Sequence, residues 1–109
     1  MREIKFRFWD GKKMIYHHYE HADCYFHGIL VCEGDTIPLQ YTGLKDRSGV
    51  EIYEGDIVKP DEIDTICKVE WLDEISGFVY ISKEEDSFEM NVSVEIIGNI
   101  YENPELLKK

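Results

Sequence analysis

Residues 2–16, Arg2-Glu3-Ile4-Lys5-Phe6-Arg7-Phe8-Trp9-Asp10-Gly11-Lys12-Lys13-Met14-Ile15-Tyr16, carry the pattern that decides the fold class. Ile4, Phe6 and Phe8 alternate with Glu3, Lys5 and Arg7. That period of two predicts a strand with its large apolar groups on one face and its charges on the solvent face. Asp10-Gly11 predicts a hairpin through a type I′ turn, which needs positive φ at both central positions. Met14, Ile15 and Tyr16 start the return strand.

The same period runs through most of the chain. Ile37 to Thr42 reads as a strand, with Pro38 suited to an edge or a strand start because it cannot donate to the ladder. Asp46-Arg47-Ser48-Gly49 suits a type I turn, and Glu54-Gly55-Asp56 a tight reversal between Val50–Ile52 and Ile57–Lys59. Cys67, Val69 and Trp71 alternate with Lys68 and Glu70, a half-buried strand, and the large amphipathic Tyr53 and Trp71 are expected to pack in the core. Phe78 to Ser82 is the next strand. Phe88, Met90, Val92, Val94 and Ile96 predict one long strand after it. Tyr25 to Cys32 is either one buried strand or a strand interrupted at Gly28. Asn103-Pro104 predicts a short helical turn with Asn103 as its cap. Short strands at turn-spaced intervals argue for a small antiparallel barrel or sandwich. The 109 residues fit a single domain, 1–109, with room for two small lobes of about 1–35 and 36–109.

Charge narrows the partners. Twelve Lys and Arg against 23 Asp and Glu give a formal net charge of −11. Residues 1–22 hold five basic and three acidic groups, and the remaining 87 hold seven and twenty. A surface of that sign repels phosphate, so binding to nucleic acid or to anionic lipid is not expected. No apolar run approaches the ~20 residues of a membrane-spanning helix. With no secretory pattern at the start, the expectation is a cytoplasmic protein whose three cysteines are reduced thiols.

Three stretches together resemble a known family. Arg2–Asp10 is similar to the start of the YopX protein family, found in phages and prophages of Gram-positive bacteria. Gln40-Tyr41-Thr42-Gly43-Leu44-Lys45-Asp46, then Gly49 and Glu51-Ile52-Tyr53-Glu54-Gly55-Asp56-Ile57-Val58, resembles its most recognisable segment. Glu95-Ile96-Ile97-Gly98-Asn99-Ile100-Tyr101-Glu102-Asn103-Pro104-Glu105-Leu106-Leu107 is similar to its C-terminal signature. Phe8 departs from the pattern, in which a small residue is usual there. The resemblance implies a mainly-β protein with an SH3-like barrel in its second half. It brings no catalytic residues.

Candidate chemistry is sparse. On a helix His17 and His21 would share a face, Cys24 and His27 would do the same one turn on, and four such donors can make a tetrahedral zinc site. The neighbouring His18 and Cys32 enlarge the cluster. Interleaved aromatics suit a strand pair equally well, so no metal and no cofactor are expected. Exposed carboxylates Glu51, Glu54 and Asp56, with Tyr53, are the candidates for a contact surface. The chain lacks a phosphate loop, a nucleophile elbow and a dinucleotide fingerprint.

The sequence therefore predicts a non-enzymatic accessory protein acting through protein–protein interaction. It is expected to form a homo-oligomer and to bind a host or phage protein. The alternative is an acidic DNA mimic that inhibits a DNA-binding enzyme. A metal-dependent enzyme built on the His/Cys stretch is the outsider.

Overall fold

Alternating apolar residues bury themselves only if a second layer covers their face. Here two antiparallel sheets cover each other in part. The computed structural model describes residues 5–16, 25–26, 29–30 and 37–108. The first sheet contains β1 (Phe6–Trp9), β2 (Met14–Tyr16), β5 (Ile37–Lys45) and β6 (Glu51–Tyr53), in the order β2-β1-β5-β6. The second contains β7 (Asp56–Pro60), β8 (Cys67–Leu72), β9 (Gly77–Ser82), β10 (Ser87–Glu89) and β11 (Val94–Asn99). Its order is β10-β9-β8-β7-β11, a four-strand meander whose fifth strand returns beside the first. Between β2 and β5 in sequence, β3 (Tyr25–Phe26) and β4 (Ile29–Leu30) pair antiparallel. A short 3-10 helix, Pro104–Leu107, follows β11. The chain is mainly β.

The second sheet is a half-barrel. Ile52, Val58, Cys67, Val69, Tyr80 and Val94 form one buried cluster, and Phe88 of edge strand β10 and Ile96 of edge strand β11 both pack against it. Phe88 lies opposite Tyr80 and Ile96 opposite Val58, so each edge meets the cluster through its neighbouring strand and the core of the half-barrel runs from edge to edge. This corresponds to the SH3-like second half that the family resemblance implies. Ile52 comes from the first sheet and closes the core from that side.

Glu54 and Gly55 carry the chain from one sheet to the other. The Glu54 N–H donates to the Gln40 carbonyl of the first sheet at 2.9 Å, whereas the Gly55 N–H donates to Val69 of the second, also at 2.9 Å. Gly55 has φ +89°. A side chain is strained in that left-handed conformation.

Several sequence expectations are corrected. The N-terminal hairpin forms, with Trp9 opposite Met14, but a four-residue loop closes it. Of Asp10 and Gly11 only Gly11 has positive φ, so the turn is not type I′. Asp10 Oδ1 instead accepts the Lys12 and Lys13 N–H groups at 2.8 Å each. The single strand expected over 88–96 is two, β10 and β11. Met90 and Val92 face the core from the connection between them, so their period-two pattern records burial and not pairing. Trp71 is not in the core but 38% exposed, because the inward-facing column of β8 ends after Val69. Asn103 does stand at the N-cap before Pro104, but its side chain makes no cap bond, as its Oδ1 accepts the Asn99 N–H at 3.2 Å. Arg7, expected on the solvent face, is 2% exposed.

Candidate functional site

Strand β1 places Arg7 toward the second sheet, and the start of β7 places Asp56 toward the first. Arg7 Nη2 donates to Asp56 Oδ1 at 2.8 Å and to the Glu54 carbonyl at 3.2 Å. Its Nη1 donates to the Tyr16 hydroxyl at 3.3 Å. The guanidinium lies 5.0 Å from the Tyr53 ring centroid, in cation–π range, and Tyr41 packs against Tyr53 at 5.5 Å. Asp56 Oδ2 accepts the Tyr53 N–H at 2.8 Å. Burial pushes the Asp56 carboxyl above its usual range, with the Arg7 charge and the Tyr53 N–H pulling against it. The Tyr53 hydroxyl is pushed up to about 12, chiefly by burial and secondarily by the Glu51 charge.

These contacts locate the four surface candidates. Asp56 and Tyr53 are buried at the junction of the sheets, so the expected row of exposed carboxylates is corrected at Asp56. Glu51 and Glu54 are half-buried. Glu51 is ion-paired with Lys5, and Glu54 Oε1 accepts the Gln40 N–H at 3.4 Å. The Tyr53–Asp56 turn is thus a joint between sheets.

Asp46 is a second interior carboxylate. It accepts the N–H groups of Ser48 and Val50 at 2.9 Å each and that of Ile96, in β11, at 3.2 Å. Desolvation pushes its pKa up, but these three bonds outweigh it and hold the carboxyl below its ordinary value. The β5–β6 turn is thereby fastened to the half-barrel.

Two open clefts flank Lys83. One, of about 360 Å³, includes Lys68, Glu70 and Leu107, and the other, of about 320 Å³, includes Lys59, Thr65 and Glu84. Both mix cations with carboxylates: Lys68 pairs with Glu70 at 3.4 Å in the first, and Lys59 and Lys83 share the lining of the second with Asp64 and Glu84. That mixture favours neither an anion nor a cation. The metal candidates His17, His21, Cys24 and His27 lie outside the described residues, as do His18 and Cys32. Among the described residues no group of three His, Cys, Asp or Glu side chains is placed to hold a metal ion, and no helix is long and apolar enough to cross a membrane.

The surface feature that sequence reasoning missed is the end of the β8–β9 hairpin. Trp71 packs edge-on against Phe78 at 5.0 Å, and its Nε1 donates to Asp73 Oδ1 at 2.8 Å. Ile75, in the loop, is 59% exposed. Its signal in sequence is a β-branched aliphatic in the otherwise polar turn Asp73-Glu74-Ile75-Ser76-Gly77.

A family model described as YopX protein matches residues 31–108. No curated protein matches the sequence. The crystal structure of protein EF1440 from Enterococcus faecalis is similar, with a TM-score of 0.67 and 25% identity over 99% of this chain and 100% of that one.

Proposed function

The chain belongs to the YopX protein family, and from that premise we infer that it is a phage or prophage accessory protein that acts without catalysis, by binding another protein. The observation that carries this reading is the exposed Trp71–Ile75 hairpin end. Large apolar groups left in water beside a well-formed core mark contact surfaces. DNA mimicry has less support. Asp46 and Asp56 are buried, and Glu51, Asp61, Glu70 and Glu95 each have a Lys or Arg partner, which leaves fewer free charges to imitate phosphates.

Affinity capture from a nuclease-treated lysate of a Gram-positive host tests the reading. A stoichiometric partner identified by mass spectrometry, reconstituted from purified proteins, is the expected result. Recovery of the bait alone, across several hosts, would count against it. Light scattering on the purified protein tests the companion proposal of a homo-oligomer, which a monomer mass would remove.

A further inference from the structure

Resting on that interaction reading, we propose that the β8–β9 hairpin end docks a partner protein whose apolar pocket is rimmed by lysine and arginine. Two features of the hairpin make it an anchor. The turn holds its shape through hydrogen bonds from the Ile75 N–H to the Leu72 carbonyl at 3.3 Å and from the Ser76 N–H to the Asp73 carbonyl at 3.2 Å. The indole of Trp71 is fixed on one side by Phe78 and at its N–H by Asp73. A large ring already held in place gives up little conformational freedom on binding, and tryptophan is among the residues most enriched at binding hot spots.

Charge selects the occupant. From Val69 to Ser82 the sequence has Glu70, Asp73 and Glu74 and no Lys or Arg. Glu89 adds a further carboxylate from β10, opposite Val79 of β9. Lys68, just before this stretch, and Glu70 offset each other, so the local negative charge rests on Asp73, Glu74 and Glu89. A second copy docked end to end would set carboxylate against carboxylate, and nucleic acid or anionic lipid would be repelled in the same way. An apolar pocket with a basic rim matches both the indole and its surroundings.

The test pans the full-length protein against a displayed library of small folded domains with a randomised concave face and measures the enriched domains by calorimetry. Enriched domains should carry an apolar pocket with Lys or Arg at its rim, and bind more weakly as salt rises. Trp71→Ala should weaken them by about 30-fold, the size of a hot-spot loss. Asp73→Asn with Glu74→Gln should weaken binding and flatten its salt dependence, since the amide oxygen introduced by Asp73→Asn remains an acceptor for the indole. Should Trp71→Ala fail to fold, Ile75→Ser, confined to an exposed loop, carries the same test. No enrichment, enrichment of domains with acidic or uncharged rims, or wild-type affinity in the Trp71 and Ile75 variants would overturn the proposal. So would an oligomer that becomes monomeric in Ile75→Ser, because the occupant would then be a second copy. A lysate partner held equally well by Ile75→Ser overturns this docking site but leaves the interaction reading standing. A wild-type protein that captures neither a lysate partner nor any selected domain removes both.

Discussion

Arg7 and Asp56, 49 positions apart in sequence, form a buried ion pair at 2.8 Å that ties β1 of the first sheet to β7 of the second. Removing one member of such a pair leaves an unpaired charge in the interior, at about 3–5 kcal/mol. Arg7→Met and Asp56→Leu should each lower stability by that amount in urea unfolding. The double variant should lose much less than their sum, because neither charge is then stranded. Single losses below about 1 kcal/mol would show that water reaches the pair.

Asp46 makes stability depend on acid. Its carboxyl titrates lower when folded than when unfolded, so the unfolded chain binds the proton first. Its contribution is present above the ordinary value of 3.8 and is lost as pH falls through the lower folded value. At neutral pH, Asp46→Ala should cost about 2 kcal/mol through three orphaned N–H groups. The gap from wild type should narrow below about pH 4. A gap independent of pH would sink the assignment.

Two glycines are held by different constraints. At Gly55 an added Cβ would sit 3.4 Å from Tyr101 Cε2, so Gly55→Ala is governed by its φ of +89° and should cost about 1–2 kcal/mol. At Gly98 the Cβ would come within 2.6 Å of Asn103 Oδ1, the atom that accepts the Asn99 N–H. Gly98→Ala should therefore displace Asn103 and cost about 2 kcal/mol. Asn103→Ala in the Gly98→Ala background should then cost little more. Thermal unfolding of the three variants checks both arguments.

The alkaline side is set by buried tyrosines. Burial pushes Tyr80 up to about 12, and Tyr53 likewise, against an ordinary value of 10.0. Between those values the folded chain keeps protons that the unfolded chain has released, so stability falls as pH rises from 10 to 12. Tyr80→Phe should make that fall shallower. An absorbance titration in which every tyrosine ionises near pH 10 would contradict the burial argument.

Cys67 is 0% exposed, and burial, then the Glu84 charge, pushes its thiol up. Differential alkylation with peptide mapping should label Cys67 only after denaturation. Labelling in the native protein at the rate of free cysteine would mean that the core opens readily.

The sequence by itself determined the local character of this protein. Alternation at Phe6–Phe8, Cys67–Val69 and Val94–Ile96 marks strands because side chains on a strand point to opposite faces whatever lies beyond it. Asp46 and Gly49 mark a turn because their demands are met within a few residues: the Gly49 N–H donates to the Asp46 carbonyl at 3.0 Å. Only the tertiary structure decided which faces became interior. Arg7 reads as a solvent-face charge until Asp56, brought over by the second sheet, neutralises it. Asp56 reads as an exposed carboxylate for the same reason reversed. Met90 and Val92 continue an apolar alternation from a loop, since burial rewards apolar surface without asking whether the backbone is paired. Trp71 shares the period of Cys67 and Val69 yet meets water, because the core ends one layer before it. Periodicity tells a residue's face; where a neighbouring sheet begins and ends depends on contacts dozens of residues away.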